Sequence, residues 1–128
     1  MTRYLLDTHT ILWLANEPEK LSSTAQNHIN STDDLLVSFA SVWEKTIKLK
    51  TGKLSLALPL EEFVTTAASK HFLNFLPISL AHIYHTQQLE LHHRDPFDRL
   101  IIAQSITENI PIISSDAVLN AYGITRVW

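Results

Sequence analysis

The sequence predicts one α/β domain with a mainly parallel central sheet covered by helices on both faces, a three-layer α/β/α arrangement, and three observations lead there. Short apolar runs alternate with longer helical patterns along the whole chain, which calls for crossover connections and parallel strands. The 128 residues fall within the size of a single domain, and 45% of them are hydrophobic, enough to bury a core without covalent staples. Only two glycines occur, and no repeat, low-complexity stretch or linker-like change in composition divides residues 1–128.

Arg3 to Leu6 reads as the first strand, and Thr8 to Ala15 as the helix after it. Ser22 caps a second helix ending near Asn30, and Leu35 to Ser38 is the second strand. Ser38 or Ser41 caps a helix that runs to Lys50 and stops at Gly52. Pro59 with Glu61 and Glu62 starts the next helix, because proline's fixed φ suits a first turn and acids suit the positive end of the helix dipole. Asn74 to Ile78 follows as a strand and Ser79 to Leu89 as a helix. Asp95 and Pro96 open a helix to about Asn109, and Ile110 to Ser114 and Ile124 to Val127 complete the sheet.

With no cysteine, neither a disulfide framework nor a thiolate metal site is possible, so any metal is held by oxygen or imidazole. Asp7 and His9 interrupt the first apolar stretch, unlike a signal-peptide core, and no run approaches a membrane span. A soluble, unprocessed protein of the cytoplasm is expected. A formal charge of -3 and a pI near 6.1 argue on their face against a nucleic-acid binder, since phosphate affinity normally comes from a basic surface.

Ligands of open parallel sheets bind beyond the carboxyl ends of the strands. Asp7 directly follows the first strand and Asp116 the strand Ile110 to Ser114, so both belong to one rim. Glu44, about one and a half turns into the helix after the second strand, and Asp98, in the first turn of the helix before the fourth, can lean toward it. Four converging carboxylates repel one another unless one holds a proton or a cation intervenes. Mg²⁺ suits them, since it takes a few carboxylates and keeps waters. Each acid also has a plain structural role: Asp7 and Asp116 as helix caps, Asp98 in a first turn capped by Asp95, and Glu44 as the partner of Lys48 four positions on. For Asp95 the capping role prevails; for the other four, position leaves both roles open.

Five stretches, in order and spacing, resemble the PIN-domain nucleases, specifically VapC-like toxins: YLLDTHTILWL at 4–14, SVWEKTIKLKTGKL at 41–54, LPIS at 76–79, HRDPFDRLIIAQS at 93–105 and SSD at 114–116, closing with YGITRVW. The resemblance spans essentially the whole chain and implies a PIN-like fold. It carries the family's acid quartet onto Asp7, Glu44, Asp98 and Asp116 as catalytic and metal-binding residues, with Ser114 as the supporting hydroxyl where threonine is commoner. Leu89, Glu90 and Leu91 depart from the subgroup's wording without removing a ligand. The resemblance further implies a Mg²⁺-dependent endoribonuclease, with Mn²⁺ as a possible substitute, that leaves a 5′-phosphate and a 3′-hydroxyl. It also implies a cognate antitoxin and a homodimer.

The charge objection then weakens. Four of the thirteen acids belong to the proposed site, and the remaining nine no longer outweigh the ten Lys and Arg. Lys45, Lys48, Lys50 and Lys53 begin next to Glu44, while Arg94 and Arg99 bracket Asp98; Lys45, Lys48 and Arg99 are taken as candidates for the RNA backbone, against the alternative of a solvated helix face. His82 and His85 stand three apart, but no third and fourth ligand at zinc spacing can be assembled. His9 and His93 lie beside the acids and fit carboxylate orientation, a channel lining or ordinary polar packing. Trp13, Trp43, Phe63, Phe72, Phe75 and Phe97 read mainly as core and interface bulk. Two other classes compete: a phosphatase or receiver domain, which lacks its D-x-D or acidic pair with late lysine here, and a binding module that has kept the fold without turnover.

Overall fold

Leu5 and Leu6 are both fully buried, yet they belong to different clusters, because successive side chains of a strand point to opposite faces. A strand buried on both faces must lie mid-sheet. In the computed structural model, which describes residues 2–128, it does. Strands β1 (Tyr4–Leu6), β2 (Leu35–Ser38), β3 (Leu73–Leu76), β4 (Ile112–Ile113) and β5 (Arg126–Val127) lie in the order β3-β2-β1-β4-β5. Every pairing is parallel.

The helices are α1 (Thr8–Asn16), α2 (Ser23–Ser31), α3 (Phe39–Lys50), α4 (Leu60–His71), α5 (Leu80–Thr86) and α6 (Pro96–Glu108). Short 3₁₀ turns cover Pro18–Lys20 and Ala117–Tyr122. Residues of α1, α2 and α4 pack with Leu6, Val37 and Ile113 on one face; residues of α6 pack with Leu5, Leu36 and Ile112 on the other. From β1 the chain moves outward to β2 and β3, then returns to add β4 and β5 on the opposite side. The carboxyl ends of β1 and β4 therefore flank the point where strand order reverses, the usual crevice of such sheets.

Of the two serines proposed to cap α3, Ser38 does so, accepting from the Ala40 N–H at 3.0 Å. The third strand starts at Leu73 and stops at Leu76, because Pro77 has no N–H to give the ladder. β4 keeps only Ile112 and Ile113 of the predicted run: the Ile110 N–H turns back to the Ser105 carbonyl at 2.9 Å, and Pro111 has none. α5 ends at Thr86 rather than Leu89. Among the described residues no helix is long and apolar enough to cross a membrane.

The early end of α5 and the path of the following loop depend on Arg99, and this corrects its expected role at the RNA backbone. Its guanidinium donates to the carbonyls of Thr86 at 2.7 Å, Leu89 at 3.1 Å, Glu90 at 3.0 Å and His93 at 3.1 Å. With its fork spent on backbone oxygens, it has little left for a phosphate. Arg99→Met is expected to lower stability by about 2–3 kcal/mol in urea denaturation, since charged hydrogen bonds are lost and carbonyls are left unpaired. A loss below about 0.5 kcal/mol would mean that the loop holds its course without it.

Candidate active site

Asp7 caps α1 as its structural role requires, accepting from the Thr10 N–H at 2.8 Å, and the same carboxylate faces the rim. The Thr10 hydroxyl lies 2.7 Å from Asp7 Oδ1 and 2.9 Å from the Ile113 carbonyl, tying the cap to β4. Ser114 donates its hydroxyl to Asp7 Oδ2 and accepts the Asp116 N–H at 3.0 Å. One buried hydroxyl thus links the acids that follow two neighbouring strands.

Asp116 caps the 3₁₀ turn through Val118 and holds His93 Nε2 at 2.6 Å through its other oxygen. His93 Nδ1 lies 3.6 Å from Asp98 Oδ2, so one imidazole stands between two of the four acids. Asp95 supplies the cap of α6, accepting from the Phe97 N–H at 2.9 Å and the Asp98 N–H at 3.0 Å, which leaves the Asp98 side chain free for the rim. Glu44 is buried; Thr8 donates to its Oε1 at 2.8 Å, and Lys48 Nζ lies 3.4 Å from its Oε2. The capping and pairing roles are met, and they orient the carboxylates instead of competing with convergence.

Lys45 needs correction as an RNA-backbone candidate. It is 2% exposed, its Nζ has no hydrogen-bond partner, and it lies among Ile11, Val37, Val42 and Phe63. Its place on α3 puts it one residue from Glu44 but turned into the core. Burial lowers its pKa to about 8, against the raising influence of Glu44 and Asp7. Lys48 remains at the surface beside Glu44.

Sequence reasoning missed Thr8 and Thr10, and half-saw His93. The available signal was polar side chains at positions that also face the core: Thr8, Thr10, Ser41 and Ser114 are all buried. Arg126 was also missed; it donates to the Ser114 carbonyl at 3.0 Å and bears electrostatically on Asp116.

A PIN domain family model matches residues 4–124. This chain belongs to the PIN domain family. Over 138 aligned positions it is 28% identical to ribonuclease VapC22 of Mycobacterium tuberculosis, spanning the whole of both chains. The structure is similar to VapC-containing complexes of low sequence identity, which bear on the fold alone. DNA-bound VapBC from Salmonella typhimurium superimposes with a TM-score of 0.71 at 17% identity, over 98% of this chain and 97% of that one. VapBC2 from Rickettsia felis, bound to a DNA fragment from its promoter, gives 0.74 at 13% identity, with the same coverages of 98% and 97%.

The electrostatics of this PIN domain are lopsided. Burial first, then the negative charges of Asp95, Glu44 and Asp7, push the Asp98 carboxyl up to about 6, although His93 pulls it down. Asp116 goes the other way: desolvation raises it, but the His93 hydrogen bond, the Val118 N–H and the charges of His93 and Arg126 together hold it below the ordinary carboxylate range. As the side chains lie, no three Asp, Glu or His residues among those described are grouped so as to hold an ion. Hydrogen bonds to Ser114, His93 and Thr8 hold Asp7, Asp116 and Glu44 where they lie. The donor set nevertheless fits a hard divalent cation, since Mg²⁺ needs one or two direct carboxylates and fills its remaining positions with water.

A folded-state pKa raised from 3.8 to about 6 makes Asp98 favour folding below about pH 4, a benefit lost as pH climbs through 6. The rise is worth about 3 kcal/mol in a dry site, and 34% side-chain exposure screens it to about 1–2 kcal/mol. In EDTA, Asp98→Asn is therefore expected to be more stable than wild type by about 1–2 kcal/mol at pH 8, with the gain shrinking to nothing near pH 4. Urea melts across that range check it; a pH-independent difference would remove Asp98 as the strained acid.

Proposed function

We propose that this PIN domain is a metal-dependent endoribonuclease, hydrolysing RNA phosphodiester bonds as the toxin of a toxin–antitoxin pair. The observation that carries the reading is the Ser114 hydroxyl joining Asp7 to Asp116 at the strand-order reversal, with Asp98 brought in by His93 and Glu44 by Thr8. Whole-chain similarity to a protein named ribonuclease VapC22 supports the reaction, and similarity to VapBC complexes supports an antitoxin partner.

Asp7, Glu44, Asp98 and Asp116 are the residues proposed to hold Mg²⁺, or Mn²⁺ in its place. What the ion supplies when bound is neutralisation of charge on the phosphate and a more acidic water. The chain's own residues do the rest. Ser114 and Thr10 fix both oxygens of Asp7, so that carboxylate cannot swing away from the rim. Thr8 does the same for one oxygen of Glu44, leaving the other toward Lys48. His93 holds Asp116 ionised and lies against Asp98, keeping two like charges near each other. Four acids without a cation repel a phosphodiester, which makes turnover conditional on metal. Lys48 is the basic side chain best placed to meet a flanking phosphate, because it already lies beside Glu44.

A second copy of the chain has a suitable seat. Phe39, Trp43 and Ile47 form one exposed stripe on α3, and Leu80, Ile83 and Tyr84 another on α5. Trp43 of α3 and Ile83 of α5 both line a cleft of about 420 Å³. Self-association through this apolar face is the form of the homodimer proposed here.

Purified protein is expected to cut single-stranded or structured RNAs in Mg²⁺, to stop in EDTA, and to lose at least about 100-fold in rate in both Asp7→Asn and Asp98→Asn. Equal cleavage by wild type and both variants would show a contaminant and contradict the reading, as would variants active in EDTA.

A further inference from the structure

His9, Trp13 and Trp128 form a run of aromatic rings that starts at the acid rim and leads away along the β4–β5 side of the molecule. His9 and Trp13 lie one turn apart on α1, with centroids 5.9 Å apart and planes inclined by 44°. Trp13 meets Trp128 at 5.7 Å and 52°. Both ends are tied to the site: His9 is two residues beyond Asp7, and Trp128 follows Val127, whose carbonyl accepts the Ser114 N–H at 3.1 Å.

Core packing explains only part of this arrangement. The two indoles rest on the cluster containing Leu6 and Ile113, yet both are half-buried, and His9 is exposed in line with them. Tilted rings fan out and leave part of each face uncovered, where stacked parallel rings would cover one another. Glu17, four residues beyond Trp13 at the end of α1, is paired with Lys20 at 2.9 Å, and Arg126 lies two residues before Trp128, so the acid that follows this stretch is offset by a cation.

We infer that His9, Trp13 and Trp128 are a stacking shelf for an unpaired nucleobase beside the phosphate held at the acid rim. This deepens the nuclease reading and rests on it. A shelf of ring faces takes any base with its π-surface free and rejects one locked in a duplex, so the substrate class is a single strand or a loop. Binding energy from the shelf would fix which phosphate reaches the acids without reading base edges. Trp13 and Trp128 are the half-buried supports, while His9 offers the exposed ring.

The test is an abasic scan. Fluorescein-labelled 12-nucleotide RNAs, unmodified or with one abasic nucleotide at each position in turn, are bound with Ca²⁺ replacing Mg²⁺ and followed by anisotropy, for wild type, His9→Ala and Trp128→Leu. In parallel, wild type is offered the unmodified RNA with Mg²⁺. The shelf predicts that wild type loses about 10-fold in affinity at one or two adjacent abasic positions. His9→Ala and Trp128→Leu should bind the unmodified RNA about 5-fold to 10-fold more weakly and show no further loss at those positions. His9 is exposed, so that variant folds even if Trp128→Leu does not. Cleavage by wild type together with an abasic penalty that survives in both variants, or with no penalty at any position, overturns the shelf and leaves the nuclease standing. Wild type that neither binds nor cuts overturns both.

Discussion

Holding carboxylates partly buried at one rim is the constraint around which this PIN domain is arranged. Asp98 is pushed up to about 6 by burial and by its acidic neighbours, and among the described residues no three Asp, Glu or His side chains are grouped so as to hold an ion. A fold selected for stability alone would replace such a cluster with apolar packing. Here the chain keeps it and surrounds it with buried hydroxyls, a bridging imidazole and an arginine, each bonded to an acid or to the backbone beside one. The outcome is a site whose geometry is fixed while its charge is not balanced.

That geometry follows from topology and from capping together. Parallel strands deliver Asp7 and Asp116 to the same rim, and the reversal of strand order between β1 and β4 sets them side by side. Helix caps then aim the side chains. Asp7 and Asp116 act as caps themselves, whereas Asp95 takes the cap of α6 and leaves Asp98 unencumbered. Arg99 works at longer range: by gathering the Thr86 carbonyl at the end of α5 and three carbonyls of the loop before α6, it carries His93 to its place between Asp98 and Asp116. Roles that compete when each acid is considered alone are compatible in three dimensions, because a cap uses one carboxylate oxygen and the rim can use the other.

Much of this was legible in the sequence, and the exceptions have physical reasons. Strand and helix alternation gave the parallel sheet, since the pattern of apolar runs reports burial directly. The acids of β1 and β4 were legible because strand ends share a rim. Lys45 was not, because a lysine inside an apolar pocket defies the rule that charge faces water, and nothing in the run from Lys45 to Lys53 distinguishes its direction. Arg99 was misread because the carbonyls it binds lie 6 to 13 residues upstream, at the end of α5 and in a loop whose path the sequence does not specify. β4 proved shorter than its apolar run because the Ile110 N–H turns back to Ser105 and Pro111, although its carbonyl accepts the Leu5 N–H, has no N–H of its own to give.

The central claim, that the rim's unbalanced charge exists to receive a divalent cation, is tested most directly by counting protons released on metal binding. Mg²⁺ or Mn²⁺ is titrated calorimetrically into wild-type protein at pH 6 and pH 8, in buffers of different ionisation heat. With the Asp98 carboxyl raised to about 6, a measurable fraction of a proton should leave per binding event at pH 6 and far less at pH 8. Absence of saturable binding at millimolar metal, or binding with no proton release at pH 6, would contradict the account.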